Sequence, residues 1–332
     1  MLLKSSFVLF LLSSSSSYVR AETLVEQNEK LFQTMKNEQM LDDASEKSLR
    51  AIFSSAPFMG QGNPAVTKHP MTREDCRKEA LPQLDVNPKN TAVCGAKYMV
   101  PIATGASGSA SSPTVCIDQF EFPNIPCEYP LVWTQANEAA AICEAMGKRI
   151  CDAHEWEGAC DGKLLPPDYD FELVKGLKAN TAVERMRVVH NQKNALNKQW
   201  AYGAKTYQKG ICGGNSSKDA KCNGGDWKNC GSNTYPSGAF PKCKSPLGVY
   251  DQHGNAAEHM NLPLDASQMA STGSKDLGHT EMKGSWFIFD KFQAHQDWCR
   301  WRAPYWHGTR VRDLKSHHNY HLGFRCCKTV SR

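Results

Sequence analysis

The chain reads as an α+β protein whose short helices and small strands alternate with long irregular stretches held by disulfides. Three observations predict this class. The 332 residues are 40% hydrophobic and 22% charged, an ordinary balance for a soluble globular chain long enough to bury a full core. Fourteen cysteines, an even number, follow an N-terminus with the pattern of a secretory signal, and an oxidising compartment favours disulfides over zinc or free thiols. Apolar periodicity occurs only in short windows separated by Gly, Pro, Ser and Asn.

In residues 1–21, Lys4 supplies a positive n-region, "FVLFLL" (7–12) an apolar core too short to span a bilayer, and "VRA" a cleavage site after Ala21. A secreted or periplasmic protein without a transmembrane anchor is expected. Residues 22–95 read as a helical and loop-rich appendage. Within it Leu24, Leu31, Met35, Leu41, Leu49 and Ile52 recur loosely at helical spacing over 22–53, with a polar interruption at Asn28, which suggests a solvated helix. From Ser54 to Pro113, notably in "ATGASGSASSP" (103–113), the composition is that of linker or surface loop. Cys76 and Cys94 lie inside this stretch and are placed to close a loop together.

Next, "VCIDQFEFPN" (115–124) alternates like a strand, and "VWTQANEAAAICEAMGKR" (132–149) reads as a helix with Thr134 as N-cap and Gly147 as its stop. Asp152 with Glu155 three residues on predicts a capping box for a second short helix carrying Trp156 and Cys160. Between about 200 and 245 come Gly, Asn, Lys and the cysteines 212, 222, 230 and 243. So little periodic apolar surface there implies cross-links or ions to offset chain entropy. The formal net charge of +5 is dispersed over 39 basic and 34 acidic residues with no long basic run, which argues against a nucleic-acid partner.

Four segments in order resemble the sulfatase-modifying-factor domain of the formylglycine-generating enzyme family: "CIDQFEFPN" (116–124), "GKRICDAHEWEGAC" (147–160), "PLGVYDQHGNAAEH" (246–259), and "KGSW" (283–286) with "LGFRCC" (322–327). The resemblance covers residues 96–330. It implies a C-type-lectin-like α+β fold of short helices on small twisted antiparallel sheets. It also implies disulfides from Cys143 to Cys326 and from Cys160 to Cys299, each tying early helices to the last strands. Closing such long loops stabilises by about 3–5 kcal/mol in the chain-entropy model. Cys151 and Cys327 are extra to that pattern, adjacent to it, and available for a third bond. Zinc at Cys151 and His154 is the competing reading, disfavoured because its thiolate ligands are scarce in an oxidising compartment.

Formylglycine generation in the family uses two cysteines that bind copper(I), for which soft thiolates are the suitable ligands. In "KGSWFIFDKFQAHQDWC" the matching positions fall near Ile288 or Phe289 and near Ala294; neither is Cys, so no copper is expected. What remains there is a groove of Trp286, Phe289, His295, Trp298, Arg300, Trp301, Arg302 and His307. Aromatic walls with a few cations suit a peptide, glycan or partner protein. In "YDQHGNAAEH", Asp251, Asn255 and Glu258 are hard oxygen donors around Gly254, and the resemblance implies a structural calcium ion there. The same residues could instead cap the turn and accept backbone N–H groups. His317 and His321 of "HHNYH" would share a face if helical and resemble weakly the iron motif of sulfoxide synthases with this domain. The segment reads rather as a loop entering a strand.

Two functions survive. The favoured one is a non-catalytic binding module. The alternative is an oxidoreductase of altered chemistry, similar to the siderophore-maturation or nonheme-iron branches of the family, with polar groups such as Glu258 or His307 replacing the thiols.

Overall fold

Thr23 opens the first helix with a reciprocal cap. Its Oγ1 accepts the Glu26 N–H (3.2 Å), and Glu26 accepts the Thr23 N–H (2.7 Å). The computed structural model describes residues 22–103, 105–106 (backbone only), 112–304 and 308–330, so the expected signal segment lies outside the described residues. Helices α1 (Leu24–Asn37) and α2 (Asp43–Ser55) form the helical appendage expected for 22–53. Each leaves one face in solvent and buries the other. Leu31, Phe32, Met35, Leu49 and Phe53 share one core cluster with Ile142, Cys143 and Phe324. The polar interruption at Asn28 is accommodated because its amide donates to the Met59 carbonyl at 3.0 Å. The boundary drawn at residue 95 is therefore not a break in the core.

The stretch from 54 to 113 is more ordered than its composition suggests. It holds α3 (Arg73–Glu79), α4 (Lys89–Cys94) and β1 (Met99–Ala103), followed by β2 (Gly105–Ala106). Cys76 and Cys94 do not pair with each other. Cys76 bonds Cys127 and Cys94 bonds Cys116, because α3 packs on the segment around Cys127, whereas Cys94 and Cys116 share a separate small cluster with Met99.

Strand β3 (Pro113–Asp118) is the first half of the predicted strand; beyond Asp118 the chain turns. Helix α5 (Ala136–Ala145) starts one residue later than expected. Gln135 is the N-cap, with Glu138 accepting its N–H at 2.8 Å, while Thr134 is buried. Gly147 adopts a φ of +65° just past the helix, as a stop requires. After β4 (Arg149–Ile150), the predicted box opens α6 (Ala153–Asp161), where Glu155 accepts the Asp152 N–H at 2.9 Å. Then come β5 (Lys163–Leu164), α7 (Phe171–Val174) and α8 (Ala179–Asn194). Residues 198–256 contain no helix or named strand and are held by Cys212–Cys243 and Cys222–Cys230, as the composition demanded.

The remaining strands are β6 (Ala257–Leu262), β7 (His279–Lys283), β8 (Leu322–Phe324) and β9 (Cys326–Thr329). One sheet has the order β1-β3-β9-β4, all antiparallel. A second has the order β7-β6-β8 with β6 and β8 parallel, and β2 pairs with β5. Consecutive residues of a strand face opposite sides, which explains the paired cysteines of β9. Cys326 reaches Cys143 in one core cluster, and Cys327 reaches Cys151 in the other. With Cys160–Cys299, three staples join segments 139 to 183 residues apart. Among the described residues no helix is long and apolar enough to cross a membrane.

Candidate functional site

Strand β7 ends at Lys283, and Gly284 turns the chain with a φ of +73°, where an added Cβ would meet the Gln252 carbonyl at 3.0 Å. The following segment, 285–302, carries most of the expected groove, and the structure divides it in two. Phe289, Trp298, Arg300 and Arg302 are buried and do not line an open groove. Phe289 packs with Phe287, Val132 and Tyr320 in the core, and Arg300 pairs with Asp161 at 3.0 Å. His295 and Trp301 are half-buried and stack with ring centroids 5.0 Å apart and planes 2° from parallel. Phe292, which sequence reasoning passed over, is 58% exposed and lies 6.3 Å from Trp286. Trp286 also meets the half-buried His321 ring at 4.5 Å. Its indole N–H is buried without an acceptor among the described residues. His307 lies outside the described residues.

Arg302 is withdrawn from the groove by a buried ionic centre. Its guanidinium donates to Glu157 (3.0 Å) and to Asp168 (3.0 Å), while Lys283 donates to Glu157 at 3.2 Å and His190 faces Asp168 at 2.8 Å. Burial opposes ionisation of Glu157, but Arg302 and Lys283 outweigh it and hold the carboxyl at about 2. Glu281 beside them accepts the Ala303 N–H at 2.7 Å, and burial pushes its carboxyl up to about 7. Glu157, Asp168 and His190 are close enough to hold a metal ion, but Arg302 and Lys283 already neutralise the carboxylates, so a cation does not fit.

Asp251, Asn255 and Glu258 come together around a second guanidinium, that of Arg325. Glu258 receives Arg325 through both oxygens (2.7 and 2.6 Å) and also the Trp156 indole N–H at 2.8 Å. Asn255 accepts the Tyr235 N–H at 2.7 Å and donates to Glu121 at 2.6 Å. Asp251 accepts the Gly238 N–H at 2.5 Å. The three side chains are thus engaged by protein donors, and calcium, which needs six or more free oxygen ligands around it, does not fit this arrangement. Glu121 belongs to the same centre. Burial, then the Asp251 and Glu258 charges, push its carboxyl well above the usual range, and burial raises Asp251 to about 7.

The cysteine-rich opening of α6 holds no zinc pair. Cys151 is bonded to Cys327, and His154 meets the Tyr169 hydroxyl at 2.9 Å. All fourteen cysteines are paired. His253 lies 3.4 Å from Cys160 Sγ and 3.8 Å from Cys299 Sγ, but these sulfurs form a disulfide. Residues 317–321 form a loop entering β8, so His317 and His321 do not share a helix face.

Sequence reasoning missed Glu121, Glu157, Asp168, His190, Lys283 and Arg325. A Lys or Glu between apolar residues of short elements was the available signal, since such groups are rarely buried unless paired.

No family model and no curated relative matches the chain. Among solved structures it is similar to one titled "Crystal Structure of CarF", with 10% sequence identity, a TM-score of 0.31, and coverage of 70% of this chain and 95% of that chain. A likeness that loose carries no argument about fold or function.

Proposed function

We propose that this chain is an extracytoplasmic, disulfide-stapled protein of the sulfatase-modifying-factor type, with a C-type-lectin-like arrangement of its α+β elements. It acts as a binding module for a peptide, glycan or partner protein rather than as a formylglycine-generating oxidase. The observation that carries the reading is the aromatic face between 286 and 321. There the His295–Trp301 pair stacks and meets Phe289, the exposed Phe292 ring and His321 lie against Trp286, and the buried Trp286 indole N–H has no acceptor among the described residues. Rings with an apolar body and a polar tip are the side chains that dominate recognition surfaces. The pairing of all fourteen cysteines supports the same reading, because none is a free thiolate for copper(I). No observation favours the oxidoreductase alternative: Glu258 is fully engaged by Arg325 and Trp156.

The test is capture of oligosaccharide and peptide arrays by the purified chain, followed by titration of the hits. Trp301→Ala is expected to weaken binding by about tenfold or more while leaving the melting temperature near that of the parent. Undiminished capture by that variant, or oxygen uptake with a stoichiometric redox metal, would sink the reading.

A further inference from the structure

We infer that a cleft between α1, α3 and the segment around Tyr129 binds a small organic molecule through an oxyanion group, independently of the aromatic face. The cleft has a volume of about 310 Å³, at the lower end of the range for small-molecule sites. Its cations come from two elements: Arg73 and Arg77, one turn apart on α3, and Lys30 on α1. Residues four apart lie on the same helix face, so both guanidinium groups address the same space.

The acids that line the cleft match two of these three cations and leave Arg77 over. Glu128 is buried and is satisfied by Arg73, by the Gln61 amide at 2.8 Å and by the Tyr129 N–H at 3.0 Å. Glu22 pairs with Lys30 at 2.6 Å at the exposed rim. Arg77 has no acceptor among the described residues, which leaves one guanidinium in excess beside a polar wall. One wall is aromatic. The His69 and Tyr129 rings stack 3.5 Å apart and the Arg73 guanidinium lies 4.2 Å over Tyr129, so both faces of the Tyr129 ring are covered and only its edge is left to the cleft. Burial lowers the His69 imidazole to about 4, so that ring is uncharged at neutral pH.

The walls are also fixed before any ligand arrives. The Cys76–Cys127 disulfide clamps α3 to the segment bearing Glu128 and Tyr129, the Tyr129 hydroxyl donates to the Met71 carbonyl at 2.8 Å, and Gln27 on α1 accepts the Gln61 N–H at 2.7 Å. Cross-bracing of this kind lowers the ordering cost of binding. A guanidinium without an acceptor in a pre-formed cleft of this size suits a carboxylate or phosphate on a small organic body.

The experiment is calorimetric titration of the full chain with inorganic phosphate and with benzoate at constant ionic strength. Saturable binding of either, weakened about tenfold or more in Arg77→Ala and partly restored in Arg77→Lys, is the expected result. Benzoate binding more tightly than phosphate assigns part of the affinity to the organic body. Phosphate binding more tightly assigns the recognition to the anion itself. No saturable heat with either probe, or an Arg77→Ala variant that binds like the parent, would overturn the site. Trp301→Ala should bind both probes unchanged, so failure of this inference and failure of the aromatic-face reading are separable.

Discussion

The Arg302 centre and the Arg325 centre bury the same kinds of groups but match their carboxyls with cations to different extents: in the first only Glu281 is pushed up, in the second both Glu121 and Asp251 are. At Arg302, two cations and the His190 ring meet Glu157 and Asp168, so both carboxyls are held below their ordinary range. At Arg325, one guanidinium faces Glu258, Glu121 and Asp251, and only Glu258 receives it directly. The two carboxyls left over are pushed up by burial. The difference teaches that proximity of acids does not by itself make a metal site. What decides is whether cations already in the fold have matched them.

The largest expected effect breaks the second centre. Arg325→Met leaves Glu258 buried with only the Trp156 N–H, and should cost about 3–5 kcal/mol in chemical denaturation. Arg302→Met should cost less, about 2 kcal/mol, because Lys283 and His190 remain beside the carboxylates. Equal losses would show that the two centres do not differ as described.

A smaller effect separates two carboxyls of the Arg302 centre by pH, one matched by cations and one not. Glu157 titrates at about 2 in the folded chain against an ordinary value of 4.5, so its contribution is present above pH 4.5 and lost as pH falls toward 2. Glu281 titrates at about 7 against 4.5. Its contribution is present below pH 4.5 and lost as pH rises through 7. The melting temperature should therefore fall between pH 5 and 7.5, and Glu281→Gln should reduce that slope in part, because Asp251 is raised to about 7 as well, while leaving the acid limb unchanged. A slope unchanged in Glu281→Gln would assign it to another group.

The smallest expected effect is none. Because both oxygens of Glu258, the amide of Asn255 and one oxygen of Asp251 are engaged, millimolar calcium should leave the melting temperature where a chelator leaves it. A rise of several degrees would mean that the loop rearranges to bind the ion, since a ligand that binds only the folded state stabilises it.

Much of the local structure was legible. The Asp152–Glu155 box, the glycine after α5, the irregular run expected between about 200 and 245 and the loop before β8 follow from side-chain chemistry within a few residues. The site was legible only in part. The aromatic segment was visible as a cluster, but the sequence does not distinguish Phe289, buried in the core, from Phe292, exposed three residues on. Helices α1 and α2 looked solvated because their apolar positions are sparse, and their partners, Ile142 and Phe324, lie far along the chain.

By itself the sequence determined the class of this protein: short elements, an even set of cysteines, and loops that need covalent closure, all consequences of composition and near-neighbour spacing. The pairing of Cys143 with Cys326 and of Cys160 with Cys299 was an implication of resemblance rather than of spacing. Only the tertiary structure decided the partners of Cys76 and Cys94, which aromatic rings stay accessible, and which buried acids meet a cation. Each depends on distances between segments remote in sequence. Glu258 and Arg325 are 67 residues apart and Glu157 and Arg302 are 145 apart, and no local pattern encodes such a meeting.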